Sequence, residues 1–304
     1  MKIYNEEYLD SINSNDLFVC SFSSETRSVG LFEYALKFIP KENIIVFSFD
    51  NLVRLNKDVQ IVAGSIATHS INYRNWDEAI SIIVKKYDSM PGSVNIHIDY
   101  SSMPRGWYTR MPERIVPNLR KGDKLFFWYT EVDVYHSVPN AGISGWYLFS
   151  GKPTIRPDNK RVHIFSLGFD SIRTQAITNK LDPDAYITCY AFDPRNPSIR
   201  EKVEEQNDDI ISNAIMSIAF HINDFELMVA RLCEISNELH YDGDVILVPD
   251  GPKPLIFAMS LVPIILEKRG ITCIHFNRNL SNERGFIDTQ SSDRVIGFSI
   301  TSSK

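Results

Sequence analysis

The segment from Leu17 to Phe38, LFVCSFSSETRSVGLFEYALKF, decides the fold. Residues 17–22 are nearly all apolar, as in a strand that is buried on both faces of a parallel sheet. A polar turn, SSETRS, follows, and apolar residues then recur at helical spacing from Val29 to Phe38. Strand, loop and helix in this order form the repeating unit of α/β proteins with parallel sheets. We therefore predict an α/β fold.

The same order continues along the chain. Further strands are predicted at 44–49, 93–98 and 124–129, and then at 162–167, 185–192, 244–248, 272–276 and 293–300, the last of them as an edge strand. Helices are predicted between them, including 107–118 and 224–240. This alternation favours sheets that are mainly parallel.

Two parts of the chain, 1–152 and 160–304, have similar landmarks at similar spacings. Arg27 and Arg105 are 78 residues apart, and Arg173 and Lys253 are 80 residues apart. Few residues are identical between the parts, so two unrelated α/β patterns are the alternative explanation. We predict a tandem duplication into two Rossmann-like halves. The segment 151–159, GKPTIRPDN, has the glycine and proline content of a linker between them.

Composition excludes several classes of protein. With 43% hydrophobic and 23% charged residues, the chain resembles a globular protein and not a disordered one. Its N-terminal residues are acidic where a signal peptide is basic, so we expect no signal peptide, and it lacks a stretch of about 18 apolar residues that could span a membrane. A net charge of −6 disfavours non-specific binding of nucleic acids. The four cysteines are far apart and form no metal-binding motif, so we expect reduced core thiols in a cytoplasmic protein without a bound metal.

The first candidate site is the loop after the first strand of each half. It contains hydroxyl groups or glycine, one acidic residue and one arginine. The residues concerned are Ser21, Ser23 and Arg27 in the first half, and Ser166, Gly168 and Arg173 in the second. Ligands of parallel sheets bind beyond the carboxyl ends of the strands, where helix N-termini favour anions. The alternative is that these loops only cap their helices, with Asp170 as the cap in the second half.

The second candidate site follows a late strand of each half. The sequences are IDYSSMPRGW at 98–107 and VPDGPKPLIF at 248–257, with candidate residues Ser101, Ser102, Arg105, Asp250, Gly251 and Lys253. Each loop places a cation at a helix start, which is unfavourable by roughly a few tenths of a kcal/mol. An anionic ligand shared by the cation and the helix amides would compensate. The alternatives are a side chain turned to water or paired with a carboxylate.

Other polar residues are weaker candidates. TEVDVYH at 130–136 could form a metal or acid/base cluster, but one loop lacks a second set of ligands. His97 lies between apolar residues of a strand and is expected to be a hydrogen-bonded core histidine. Asn207 and the two aspartates after it could face the cleft or lie on a solvent-exposed helix face, and we expect the second. We find no known nucleophile, phosphate-loop or zinc-protease motif, so catalytic residues and a cofactor are not assigned.

The two halves with their serine-bearing and basic-ended loops resemble CARF domains and the fused CARF-like pairs called SAVED domains. Asp99, Ser101 and Arg105 are similar to the Asp-x-Thr-Gly-Gly-Thr-Lys loop of that family, although the paired glycines are absent. The resemblance implies binding of cyclic oligonucleotide second messengers in prokaryotic antiviral defence. Since both halves occupy nearly the whole chain, it also implies that the effector lies in a partner protein or is absent.

Three functions are therefore open. The first is a two-lobed nucleotide-binding subunit whose phosphate contacts come from Arg27, Arg105, Arg173 and Lys253. The second is an enzyme that acts on a nucleotide or a phosphosugar in the same cleft. The third is a scaffold whose loops bind another protein.

Overall fold

The computed structural model describes residues 1–6, 9–23, 25, 27–49, 62, 64, 66–132, 142–154, 159–278 and 291–302. The chain divides into two compact units. Unit 1 comprises Met1–His136 and Phe286–Lys304, and unit 2 comprises Ser137–Gly285. Within the described residues, each unit has one mostly parallel sheet, of seven strands in unit 1 and six in unit 2. The predicted α/β class is confirmed.

Unit 1 alternates strands and helices in sequence order. Its strands are β1 (Lys2–Glu6), β2 (Leu17–Ser21), β3 (Ile44–Phe49), β4 (Thr68–Ile71), β5 (Ile96–Asp99), β6 (Leu125–Val132) and, from the end of the chain, β13 (Ser291–Thr301). Its helices are α1 (Arg27–Ala35), α2 (Trp76–Ser89), α3 (Arg105–Tyr108) and α4 (Met111–Ile115), with 3-10 turns at Leu9–Ser11, Lys41–Asn43 and Val116–Asn118.

Unit 2 has the same alternation. Its strands are β7 (Ile143–Gly151), β8 (Lys160–Ser166), β9 (Ala185–Phe192), β10 (Met216–His221), β11 (Gly243–Pro249) and β12 (Ile271–Arg278). Its helices are α5 (Ser171–Leu181), α6 (Pro197–Gln206), α7 (Asp208–Ser212), α8 (Phe225–Leu239) and α9 (Lys253–Leu266). None of the helices within the described ranges is both long and apolar enough to cross a membrane.

The five parallel strands have the same order in both units. They are arranged as β4-β3-β2-β5-β6 in unit 1 and as β10-β9-β8-β11-β12 in unit 2. Numbered along the chain within each unit, both orders read 3-2-1-4-5, which is a Rossmann-like arrangement. The order reverses between the first and fourth strands. These reversals, between β2 and β5 and between β8 and β11, are where open parallel sheets bind ligands.

In each sheet, an antiparallel strand lies beside the fifth parallel strand. This antiparallel strand belongs to the opposite predicted half of the sequence. β7 follows β6 in sequence but pairs with β12, whereas β13 follows β12 in sequence but pairs with β6. The predicted halves, 1–152 and 160–304, therefore differ from the two units, which exchange these strands. The prediction of an edge strand at 293–300 was wrong, because β13 lies between β1 and β6.

Proline interrupts the helix that was predicted at 107–118. The structure has instead two short helices, α3 and α4, and a 3-10 turn, with Pro112 and Pro117 in the first turns of the last two pieces. A proline ring cannot donate a backbone hydrogen bond and disfavours helical conformation in the preceding residue. The corresponding helix of unit 2, α9, runs for 14 residues, and its residues from Pro254 to Pro263 are all buried.

Candidate ligand-binding site

The serines of unit 1 meet at the reversal of strand order. Ser21 ends β2, and Ser102 follows β5. The Ser102 hydroxyl donates to the backbone oxygen of Ser21 at 2.6 Å, and the two hydroxyl oxygens are 3.3 Å apart. Because the proton of Ser102 is already used, Ser21 is the donor in the second bond. The two candidate loops therefore lie side by side, and their hydroxyls bond to each other.

Ser101 braces the ends of two strands. It is fully buried, donates to the carboxylate of Asp99 at 2.5 Å and accepts from the backbone nitrogen of Thr130 at 2.8 Å. Its hydroxyl therefore links the ends of β5 and β6. Ser23 is half-buried, and its hydroxyl accepts from the backbone nitrogen of Glu25 at 3.1 Å. Both hydroxyls stabilise the loops that carry the candidate site.

Arg27, the first residue of α1, is buried and bonded to protein atoms. Its guanidinium forms an ion pair with Glu25 and donates to the Tyr129 hydroxyl at 3.1 Å and to the Thr130 carbonyl at 3.4 Å. Burial by itself lowers the pKa of Arg27, but Tyr129 and Glu25 outweigh this effect and raise its pKa above the usual value. The side chain is therefore a charged brace between α1 and the end of β6.

Arg105 is the remaining cation of the predicted unit 1 site. It is half-buried and begins α3, directly after the loop that carries Ser102. Because α3 has only four residues, the alignment of peptide dipoles behind Arg105 is short. The helix dipole at Arg105 is therefore weaker than the sequence predicted.

In unit 2, one hydroxyl joins the two loops at the reversal of strand order. Ser166 ends β8 and is fully buried, and its Oγ accepts from the backbone nitrogens of Asp250 at 2.8 Å and Gly251 at 2.9 Å. A Cβ atom on Gly251 would lie 2.8 Å from the carbonyl oxygen of Leu167, and one on Gly168 would lie 3.3 Å from that of Asp250. Both predicted glycines therefore allow the two loops to pack together.

Arg173 connects three segments of unit 2. It is 2% exposed, and it donates from Nε to Asp250 Oδ2 at 2.8 Å and from Nη2 to the Phe276 carbonyl at 2.5 Å. Asp170 accepts from the backbone nitrogen of Arg173 at 3.2 Å and so caps α5, as the alternative interpretation of this loop predicted. The bonds from Arg173 to Phe276 and from Arg27 to Thr130 both span 103 residues, which supports the predicted correspondence of the two halves.

Lys253 begins α9, immediately after the loop that Ser166 holds. It is half-buried. The N-cap residue of this helix is Pro252, whose ring offers no hydrogen-bond acceptor to the amides of the first turn. Lys253 is therefore a cation at the start of a helix, as the sequence predicted, and this helix is long.

The prediction of a solvent-exposed position is confirmed for Asp208 and Asp209 but was wrong for Asn207, which belongs to this site. It is 1% exposed, and its Nδ2 donates to the Gly168 carbonyl at 2.9 Å and to the Val203 carbonyl at 2.7 Å. Its Oδ1 and the Nη1 of Arg173 are buried and have no hydrogen-bond partner among the residues that the structure describes. Asn207 lies at the break between α6 and α7, which no proline or glycine marks in the sequence.

The other sequence candidates are structural where the structure describes them. His97 is fully buried, its Nε2 lies 3.2 Å from Asp16 Oδ2, and its Nδ1 accepts from Trp128 at 3.2 Å, so the prediction of a hydrogen-bonded core histidine is confirmed. Glu131 pairs with Arg294 at 2.8 Å. Residues 133–136 of the proposed metal loop lie outside the described residues. Within those residues, no group of three potential metal ligands occurs.

The cysteines are unpaired, as predicted. Burial raises the pKa of the Cys20 and Cys273 thiols well above the usual value, and that of Cys233 to about 11. Thiolates are the nucleophilic form of cysteine, so these thiols are unsuited to nucleophilic catalysis at neutral pH.

No protein-family model, no curated protein and no solved structure matches this chain.

Proposed function

We propose that the chain binds a nucleotide-like anionic ligand and acts as the sensing subunit of a larger complex. The observation that supports this most is the position of the two candidate loops in each unit. Both follow the first and fourth strands of a 3-2-1-4-5 sheet, where the order of strands reverses. That reversal is the common ligand site of Rossmann-like sheets.

Unit 2 is the better candidate for the ligand. The N-terminus of the 14-residue α9 carries a partial positive charge, and Lys253 adds a full charge at the same place. A phosphate oxygen bound there would accept hydrogen bonds from the remaining first-turn amides and from the lysine. In unit 1, Arg105 is the corresponding cation that would contact a phosphate. Arg27 and Arg173 bond to protein atoms and therefore hold the loops in place.

Two buried polar atoms of unit 2 support a polar occupant. Arg173 Nη1 is a donor and Asn207 Oδ1 is an acceptor, and both are buried. The backbone of Arg173 and the Nδ2 of Asn207 bond to the loop at Asp170 and Gly168. A buried polar atom that lacks a partner costs about 1–3 kcal/mol. A ligand hydroxyl or an ordered water at either atom would satisfy it. The likeness to second-messenger sensors makes cyclic oligonucleotides the first ligands to test, with antiviral defence as the proposed setting.

The test is calorimetric titration of the protein with AMP, ADP, cyclic di-AMP and cyclic tri-adenylate. One of these ligands is expected to bind, and Lys253→Ala is expected to weaken it roughly ten- to a hundredfold, because a charge-assisted hydrogen bond is lost. Lys253→Arg keeps the charge and is expected to retain most of the affinity. Lys180→Ala, which removes an exposed cation from the last turn of α5, is the matched control.

The possible outcomes distinguish the three functions. Absence of binding by every probe, together with full function of the Arg105→Ala/Lys253→Ala double variant, would remove both the binding and the enzyme hypotheses. Turnover of a bound nucleotide would favour the enzyme. Stable co-purification with one protein, without any ligand effect, would favour the scaffold.

A further inference from the structure

The outer edge of β10 differs from the other edges of the two sheets. Within the described part of the chain, β10 pairs on one side only, with β9. Among the other edge strands, β1 begins with Lys2 and ends with Glu6, and β4 has only four residues. Edge strands are normally protected from further pairing by charge, by short length or by irregularity. β7, the opposite edge of unit 2, has two register shifts against β12.

β10 has none of these protections. Its six residues, MSIAFH, include no proline and no acidic residue, lysine or arginine. Its pairing with β9 is regular over all six residues, and within the described part of the chain no strand pairs with its other side, which is about 20 Å long. Apolar side chains at its start are exposed: Ile215 by 63% and Met216 by 50%. Such an edge is a template for another strand.

We propose that β10 pairs antiparallel with β10 of a second copy of the chain, across a two-fold axis. A strand that pairs with itself must tolerate its own charges at opposite positions, and β10 carries no acidic residue, lysine or arginine. If the two-fold axis passes through the middle of β10, Ile218 faces Ala219 of the partner subunit, and Met216 faces His221 of the partner subunit. This pairing uses the free edge of both copies and therefore closes at two chains.

The test is sedimentation equilibrium combined with amide hydrogen exchange. The mass of the wild-type protein is expected to rise with concentration from one chain to two and to stop there. Over the same concentrations, exchange is expected to slow at residues 216–221. Met216→Lys places a charge on the exposed start of the strand and is expected to weaken the dimer by roughly tenfold or more.

Ser212→Lys is the matched control, because it adds the same charge at an exposed position just before β10 and outside it. It is expected to dimerise like the wild type. A wild-type protein that remains a single chain at every concentration would overturn the proposal. So would a dimer that Met216→Lys leaves unchanged, or slowed exchange confined to other segments. If Met216→Lys does not fold, the exchange data on the wild type decide alone.

Discussion

Arg173 donates from Nε to Oδ2 of Asp250 at 2.8 Å, and both side chains are almost completely buried. This ion pair ties the first turn of α5 to the loop after β11. The same guanidinium also donates to the backbone at Phe276, near the end of β12. In unit 1, Arg27 connects α1 to Thr130 near the end of β6. In each unit, a buried arginine near a helix start therefore holds the end of the fifth parallel strand.

The Arg173–Asp250 pair is expected to stabilise unit 2. Asp250→Ala leaves a buried guanidinium without its carboxylate, which costs about 3–5 kcal/mol in similar pairs. Urea unfolding should show this loss of free energy. Glu234→Ala removes half of an exposed pair with Arg231 and is expected to change the free energy of unfolding by less than about 1 kcal/mol. Equal losses in the two variants would contradict a special role for the buried pair.

Two glycines should respond oppositely to alanine. At Gly251 an added Cβ would lie 2.8 Å from the Leu167 carbonyl oxygen, so Gly251→Ala is expected to destabilise the protein by about 1–3 kcal/mol. At Gly30, in α1, an added Cβ has no heavy atom within 4 Å, so Gly30→Ala is expected to stabilise it by up to about 1 kcal/mol. Thermal unfolding measures both. A destabilised Gly30→Ala variant would contradict this account of α1.

His163 in β8 is expected to make the protein sensitive to acid. Burial lowers its pKa from 6.5 to about 4, with a smaller effect of the nearby Arg161. Between these two pH values the unfolded chain binds a proton that the folded chain does not, so the free energy of unfolding falls as the pH falls. Above about pH 6.5 the titration of His163 does not change the free energy of unfolding, and at pH 4 it has lowered that free energy by about 3 kcal/mol.

The variant His163→Val isolates this effect. Both ring nitrogens of His163 are buried and lack hydrogen-bond partners within the described residues, so valine is also expected to increase stability at neutral pH. Urea unfolding of both proteins from pH 7 to pH 4 provides the test. His97, whose pKa burial also lowers, is present in both and cancels in the comparison. Parallel pH profiles would rule out His163 as the source of acid sensitivity.

Removal of residues 291–304 is expected to unfold part of unit 1. β13 pairs with both β1 and β6, so its loss detaches β1 and exposes the edge of β6. Amide exchange should accelerate in β1 and β6 and remain slow in β8 and β11 of unit 2. Removal of residues 303–304 alone serves as the control. Unchanged exchange in β6 of the longer truncation would show that the strand exchange is not needed for unit 1.

The sequence determined the elements that have a strong local pattern. The predicted strands at 44–49 and 185–192 have the bounds of β3 and β9, because both are continuous and mostly buried apolar runs. β1, β7 and β10 were not predicted. Each is an edge strand with exposed residues, so its side chains do not form the continuous buried apolar run that marks the central strands. The helix predicted at 107–118 is divided into shorter pieces in the structure, because Pro112 and Pro117 interrupt it.

The same division applies to the candidate site. Strand, loop and helix patterns were sufficient to predict which loops reach the carboxyl edge of each sheet, because that position follows from local chain order. Only the tertiary structure decided that Arg27 and Arg173 are bonded to protein, that Asn207 is buried, and that β7 and β13 exchange sheets. Burial and strand pairing depend on distant residues, as in the two arginine bonds that each span 103 positions, and no local pattern records such contacts.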